Sequence, residues 1–258
     1  MIRNINFLFC FCFVLLIACN SKQTNNSTNT EDSTEASELY KKGVEALNKQ
    51  DYEQATTLFI KASEMGNAAA MNDLGFMYSK GFGVAQDDSK AIEWYEKAAN
   101  AGLPLAERNL AQCYHFGDGI PKNMEKAIEL YTKAAEHGEP VAQHNLGRIY
   151  FTGEGVPLDY ETANKWWLKS AEQGLAEAQH DIGQSYWFGE GIEQNYNEGL
   201  KWLELSANQG YDKAQYFLGV CYLNGEGIPI DLKKATHYFN LAAQQGNEKA
   251  IRALQIIH

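Results

Sequence analysis

The sequence predicts an all-α solenoid built of stacked antiparallel helix pairs, and three observations predict it. Ala70, Ala106, Ala142, Ala178, Ala214 and Ala250 recur every 36 residues without a slip, and a fixed period of roughly 20–50 residues marks a repeat architecture. Leu74, Leu110, Leu146, Ile182, Leu218 and Leu254 follow each Ala by four residues, and Tyr78, Tyr114, Tyr150, Tyr186 and Tyr222 follow by four more. That spacing is one apolar stripe of a helix, not the alternation of a strand. Glycines punctuate the unit at two fixed places: Gly81, Gly117, Gly153, Gly189 and Gly225 after the stripe, and Gly66, Gly102, Gly138, Gly174, Gly210 and Gly246 at the unit's end.

Residues 1–18 contain Arg3 and no acid, with an unbroken apolar run from Phe7 to Ile17. A membrane-spanning helix needs about 20 such residues, so the run is too short for a permanent span and fits the apolar region of a signal peptide. It ends in Leu16-Ile17-Ala18-Cys19, which resembles the lipobox of bacterial lipoproteins. The resemblance implies cleavage before Cys19, lipidation of Cys19 and a membrane anchor in the bacterial cell envelope. In Gram-negative members an Asp after the Cys signals inner-membrane retention. Asn20 therefore implies the outer membrane, facing the periplasm. From Asn20 to Glu35 there is no aliphatic or aromatic residue, so residues 19–35 are expected to form a flexible tether with a reach of about 20–25 Å.

The remaining residues, 36–258, are expected to form the solenoid. In each unit Ala70, Leu74 and Tyr78 and their equivalents form the first helix, and the following Gly ends it cheaply in a left-handed conformation. Asp87, Asn123, Asp159, Asn195 and Asp231 stand where an N-cap would open the second helix. Ala91, Tyr95, Ala98 and Ala99 make that helix's buried face, and Trp94, Trp166, Trp202 and Tyr238 beside it are expected to pack within or between repeats. The five prolines, Pro104, Pro121, Pro140, Pro157 and Pro229, fall in loops or first turns, and none interrupts a helix interior. Leu39, Gly43, Ala46, Ala55, Phe59 and Ala62 repeat the pattern ahead of the five units with a shorter loop. Glu248 to Ile257 repeats only the first helix, with Gln255 in place of a Gly and His258 in place of the Tyr, as suits a terminal cap.

The unit A-x-x-x-L-G-x-x-Y-x-x-G-x-G-V/I, with its later A-A-x-x-G, resembles the Sel1-like repeat family, relatives of tetratricopeptide repeats, over residues 36–258. The pair ahead of the five units resembles a tetratricopeptide pair. The resemblance implies a right-handed α-solenoid and a role as a protein–protein interaction scaffold.

Charge and composition narrow the function. Lys and Arg total 22 against 33 Asp and Glu, a formal charge of −11, and loss of residues 1–18 removes one base and no acid, leaving −12. A chain this acidic lacks the basic footprint that grips phosphate backbones, so no nucleic acid is expected as partner. No cofactor or metal site is legible. The Gly-acid-Gly loops lack the third Gly of a dinucleotide site, the Lys-Ser/Thr of a P-loop and an EF-hand ligand series. His144 and His180 lie one repeat apart, a step of about 10 Å, too far for two ligands of one zinc ion. Cys113 and Cys221 fill one core slot and are expected to be buried free thiols. A cell-wall-directed or β-lactam-hydrolysing enzyme is the alternative, because some relatives of the repeat family are described as penicillin-binding. Neither S-x-x-K nor K-T-G occurs, so no residue is assigned as catalytic and the chain is read as a non-enzyme.

The residues two before and two after the repeated Leu point to the face that first helices present in tetratricopeptide solenoids. They include Asn72, Arg108, His144, His180, Tyr216 and Arg252 in one register and Phe76, Gln112, Arg148 and Gln184 in the other, with His115, Phe151 and Trp187 one turn on. Both registers lack acids, and the mature chain's three Arg all fall there. The expected site is a basic and aromatic groove for a protein or peptide ligand carrying an acidic segment or a C-terminal carboxylate.

Overall fold

A computed structural model describes residues 29–257. Thirteen helices account for its regular structure, and no strand occurs among the described residues. In order they are α1 (Asn29–Asn48), α2 (Tyr52–Glu64), α3 (Ala68–Lys80), α4 (Asp88–Asn100), α5 (Pro104–Phe116), α6 (Met124–Glu136), α7 (Pro140–Thr152), α8 (Tyr160–Glu172), α9 (Ala176–Phe188), α10 (Tyr196–Asn208), α11 (Asp212–Asn224), α12 (Leu232–Gln244) and α13 (Glu248–Ile257). Each helix packs on the helices before and after it in the chain, and α11 also meets α13. Odd-numbered helices are the first of each pair and even-numbered ones the second. No described helix is long and apolar enough to cross a membrane.

The expected signal sequence, Cys19 and His258 lie outside the described residues. The expected tether is shorter than its composition implied, because α1 starts at Asn29 and takes in residues 29–35. Propagating a helix costs far less than nucleating one. Once Ala36 and Ala46 are buried, the turn ahead of them extends readily.

The expected caps form. Gly81, Gly117, Gly153, Gly189 and Gly225 each end a first helix at φ between 70° and 81°. Asp87, Asn123, Asp159, Asn195 and Asp231 each accept a backbone N–H of the second helix's first turn.

Within a pair, a large second-helix side chain lies on a small residue of the first. Tyr95 covers Gly75, Trp167 covers Gly147 and Phe239 covers Gly219. A Cβ at Gly75 would stand 2.6 Å from the Tyr95 ring, and one at Gly219 2.5 Å from the Phe239 ring. Helices bearing glycine here approach closely enough for the ring to be wholly buried. Trp94, Trp166 and Trp202 are half-buried beside these cores. Lys97 and Lys169 stand 4.0 and 4.3 Å from the Trp94 and Trp166 ring centres.

Between the two helices of a unit runs a ladder of glutamines. Gln173 Nε2 donates to Gln143 Oε1 at 2.8 Å, Gln209 to Gln179 at 2.8 Å and Gln245 to Gln215 at 2.8 Å. Each inner glutamine in turn donates to a carbonyl of the preceding repeat: Ala135, Ala171 and Ala207. In the second full unit the same two positions hold Glu107 and His137. Glu107 is fully buried, and its carboxylate takes His137 Nδ1 and Lys133 Nζ, each at 2.9 Å.

Candidate binding groove

The repeat places the same register of every first helix along one face. Three depressions interrupt that face. The first, about 590 Å³, lies between α3 and α5 and is lined by Phe76, Arg108 and Gln112, with Asn109 and Tyr95. The second, about 130 Å³, is lined by Arg148, Phe151, Gln184, Asp181 and Ser185. The third, about 610 Å³, lies among α9, α11 and α13 and is lined by His180, Gln184, Tyr216 and Phe217, among others.

Five of the residues expected in the groove line none of these depressions. Trp187 is 2% exposed, with Tyr196 and Phe217 against its ring. Asn72 is buried and accepts from Asn109 Nδ2 at 2.8 Å, joining α3 to α5. His115 is buried as well; its Nε2 donates to Glu154 at 3.1 Å and its ring stacks on Phe116. His144 donates to Asp181. Arg252 lies on the surface, paired with Glu248 at 3.0 Å. These residues hold repeats together or face solvent. Three residues beyond the register after the repeated apolar residue, the position is not uniform: His115 and Trp187 are buried, whereas Phe151 lines the second depression.

The charge expectation also changes. No acid occupies the two registers, but neighbouring positions supply them. Glu139, which caps α7 at Ala142, stands 3.8 Å from Arg108 Nε. That distance is too long for a hydrogen bond, and Arg108 Nε is buried without one. Arg108 Nη1 donates to Gln112 Oε1 at a long 3.4 Å. Asp73 and Asp181 enter from the position just before the repeated apolar residue. The groove is therefore mixed in charge rather than basic. Arg148 is exposed, and its guanidinium has no ion-pair or hydrogen-bond partner among the described residues.

One cluster was not legible in the sequence. Asp181 accepts from His144 Nε2 at 2.8 Å on one oxygen and from His180 Nδ1 at 2.7 Å on the other. The two histidines of neighbouring repeats, set apart by one repeat step, thus share a carboxylate. Burial alone would raise the Asp181 carboxyl, but the two histidine hydrogen bonds and charges hold it at about 2. Asp73 goes the other way: burial raises it, and hydrogen bonds from Asn72 and Tyr40 offset only part of that. No group of three or more His, Cys, Asp or Glu among the described residues is arranged to hold a metal ion. Cys113 and Cys221 are free; Cys221 is buried and Cys113 only half-buried, short of the full burial expected. Burial, reinforced by nearby carboxylates, pushes the thiols up to about 11 and about 12.

The helix-pair period and this cap pattern match a known family throughout. A family model described as Sel1 repeat matches residues 35–67, 68–103, 104–139, 140–175, 176–211 and 212–247. The chain belongs to the Sel1 repeat family. The match takes in 35–67, so the first pair of this Sel1 repeat protein is a sixth repeat with a shortened loop. Among solved structures it is similar to a Sel1 repeat protein from Oxalobacter formigenes, at 37% identity and a TM-score of 0.79, covering 84% of this chain and 89% of that one. It is also similar to c5321, a protective antigen of uropathogenic Escherichia coli with an SLR fold, at 33% identity and a TM-score of 0.77; 88% of this chain is covered but only 50% of that one. A more distant likeness is the immunity protein PA5088 from Pseudomonas aeruginosa, at 25% identity and a TM-score of 0.56, covering 83% of this chain and 82% of that one. No curated protein matches it. The family and its fold are those of protein–protein interaction scaffolds.

Proposed function

We propose that this Sel1 repeat protein is a lipid-anchored adaptor of the bacterial cell envelope, held at the outer membrane through Cys19, that binds a protein or peptide partner along its first-helix groove. One observation carries the reading. Residues at the repeated positions are used up in stacking, whereas Phe76, Arg108, Arg148, Gln184 and Tyr216 line the depressions and change chemistry from one repeat to the next. Stacking alone demands no such variation. The unpartnered Arg148 and the weakly bonded Arg108 suit a carboxylate on the partner, whether in an acidic segment or at its C-terminus. The reading assigns no catalytic residue: neither S-x-x-K nor K-T-G occurs, and burial raises both described thiols, which disfavours a cysteine nucleophile.

The test is capture of envelope proteins by the full lipidated chain in detergent. Arg108→Ala with Arg148→Ala should weaken the specific partner by about 2–5 kcal/mol with the helical circular dichroism intact. Unchanged affinity in that double variant places the partner elsewhere. Metabolic fatty-acid labelling checks the anchor: Cys19→Ala should abolish it, and undiminished labelling overturns the lipoprotein assignment.

A further inference from the structure

The third depression gathers departures from the repeat that stacking does not require. At the second position of the first helices, α3, α5, α7 and α9 carry Ala69, Leu105, Val141 and Glu177, whereas α11 and α13 carry Lys213 and Lys249. Two residues and one residue before the repeated apolar residue Leu218, α11 places two adjacent rings, Tyr216 and Phe217. The same positions elsewhere hold Asn72-Asp73, Arg108-Asn109, His144-Asn145 and His180-Asp181. All four departures line one pocket of about 610 Å³. Its acids are already engaged: Asp212 accepts from Asn247 Nδ2 at 2.8 Å, and Glu248 pairs with Arg252. Lys213 and Lys249 have no carboxylate partner among the described residues. Their ammonium groups stand 5.9 Å from the Tyr211 ring centre and 6.0 Å from that of Tyr216. The floor is firm, since Phe217 meets the Trp187 and Phe188 rings edge-on at 6.0 and 5.7 Å.

We propose that this pocket receives the C-terminal residue of a partner polypeptide, with an apolar or aromatic side chain on Tyr216 and Phe217 and the free carboxylate between Lys213 and Lys249. The proposal rests on the groove reading above and adds to it the identity of the recognised end. Rings and ammonium groups share one pocket, with Lys249 Nζ 6.0 Å from the Tyr216 ring centre, so the ligand that fits most compactly carries a carboxylate and an apolar side chain on the same residue. Only a C-terminal residue does. In an extended peptide neighbouring side chains point to opposite faces, so an internal Glu beside a Phe would aim its carboxylate away from the pocket. The chain end also sets direction. Three repeat steps of about 10 Å separate α11 from α5, a span that about nine extended residues cover at about 3.3 Å each.

The experiment measures fluorescence anisotropy of three labelled nine-residue peptides with the full chain: one ending in Phe with a free carboxylate, its C-terminal amide, and an amide carrying an internal Glu beside the Phe. The free acid should bind about 10- to 100-fold more tightly than either amide, the range expected for a charge-assisted contact. Lys213→Gln with Lys249→Gln should erase that preference, while Arg108→Ala with Arg148→Ala should lower all affinities and leave the preference standing. Circular dichroism confirms that each variant is folded. Equal binding of acid and amide overturns the proposal, as does an acid preference that survives the lysine double variant, or no binding by any peptide. If acid and amide bind equally yet the arginine variant still weakens both, end recognition fails and the groove reading stands.

Discussion

Asp181 shows how a single position changes role when the repeats meet. Its carboxyl sits at about 2, below the ordinary 3.8, so it binds protons less readily folded than unfolded. It therefore contributes stability that is fully present above about pH 4 and is lost as pH falls from 3.8 towards 2, on the order of 2 kcal/mol in all. Urea unfolding across that range should show Asp181→Asn markedly less stable than the native chain above pH 4, with the gap closing towards pH 2. A gap that persists in acid would mean that the carboxylate's charge is not what holds His144 and His180. Glu107 offers a second test. Glu107→Ala removes the buried carboxylate that Lys133 and His137 share. Those two side chains are about half exposed and can rehydrate, so the loss should be about 1–3 kcal/mol from the lost hydrogen bonds and the space left behind. Glu107→Gln with His137→Gln restores the glutamine pair of the other repeats and should recover most of that loss in thermal melts.

Helices in this chain begin and end at residues whose side chains or missing side chains do the work. Asn195 accepts the backbone N–H of Asn197 and of Glu198, both at 3.1 Å. Asn195→Ala should therefore cost about 1 kcal/mol, read as a lower denaturation midpoint. Two glycines with similar backbones should respond differently. Gly174 has φ +93° and nothing within 4 Å of an added Cβ, so Gly174→Ala carries only the left-handed penalty, about 1–2 kcal/mol. Gly191 has φ +67°, and a Cβ there would stand 2.5 Å from the Tyr160 carbonyl carbon. Backbone cannot swing aside as a side chain can, so Gly191→Ala should cost about 1–3 kcal/mol more. Equal losses at the two sites would show that the loops do not pack on the preceding repeat as closely as the structure has it.

Across the whole molecule, stability is nearly a sum over repeats and their interfaces. Residues 140–175 form one unit, α7 and α8, and its removal joins His137 and Glu139 territory directly to α9. Gln179 would then meet Ala135 in place of Ala171, which is the contact Gln143 makes now. The shortened chain should fold cooperatively with proportionally less helix by circular dichroism. It also loses Arg148 and His144, so under the proposed groove reading partner binding should weaken while the fold persists. A shortened chain that fails to fold would show that α7–α8 supplies more than an interchangeable interface.

The period of 36, the order of helix pairs, the caps and the buried Ala-Leu stripe could all be read from residue order. Each depends on contacts a few residues apart along the chain or on one step repeated identically. The two registers flanking Leu74 likewise named residues that line the depressions, including Phe76, Arg108, Arg148 and Tyr216. Three features were decided only when repeats were set side by side: the burial of Trp187 and His115, the pairing of Arg108 with Glu139, and the sharing of Asp181 by two histidines. Each includes a contact between different repeats, such as Arg108 with Glu139, His115 with Glu154 and His144 with Asp181, whose meeting depends on how far one helix pair rotates over the next, and side-chain identity along a single helix does not encode that rotation. The groove's charge belongs to this second group, because its carboxylates come from neighbouring registers and neighbouring repeats, and only the stacked structure places them against the arginines.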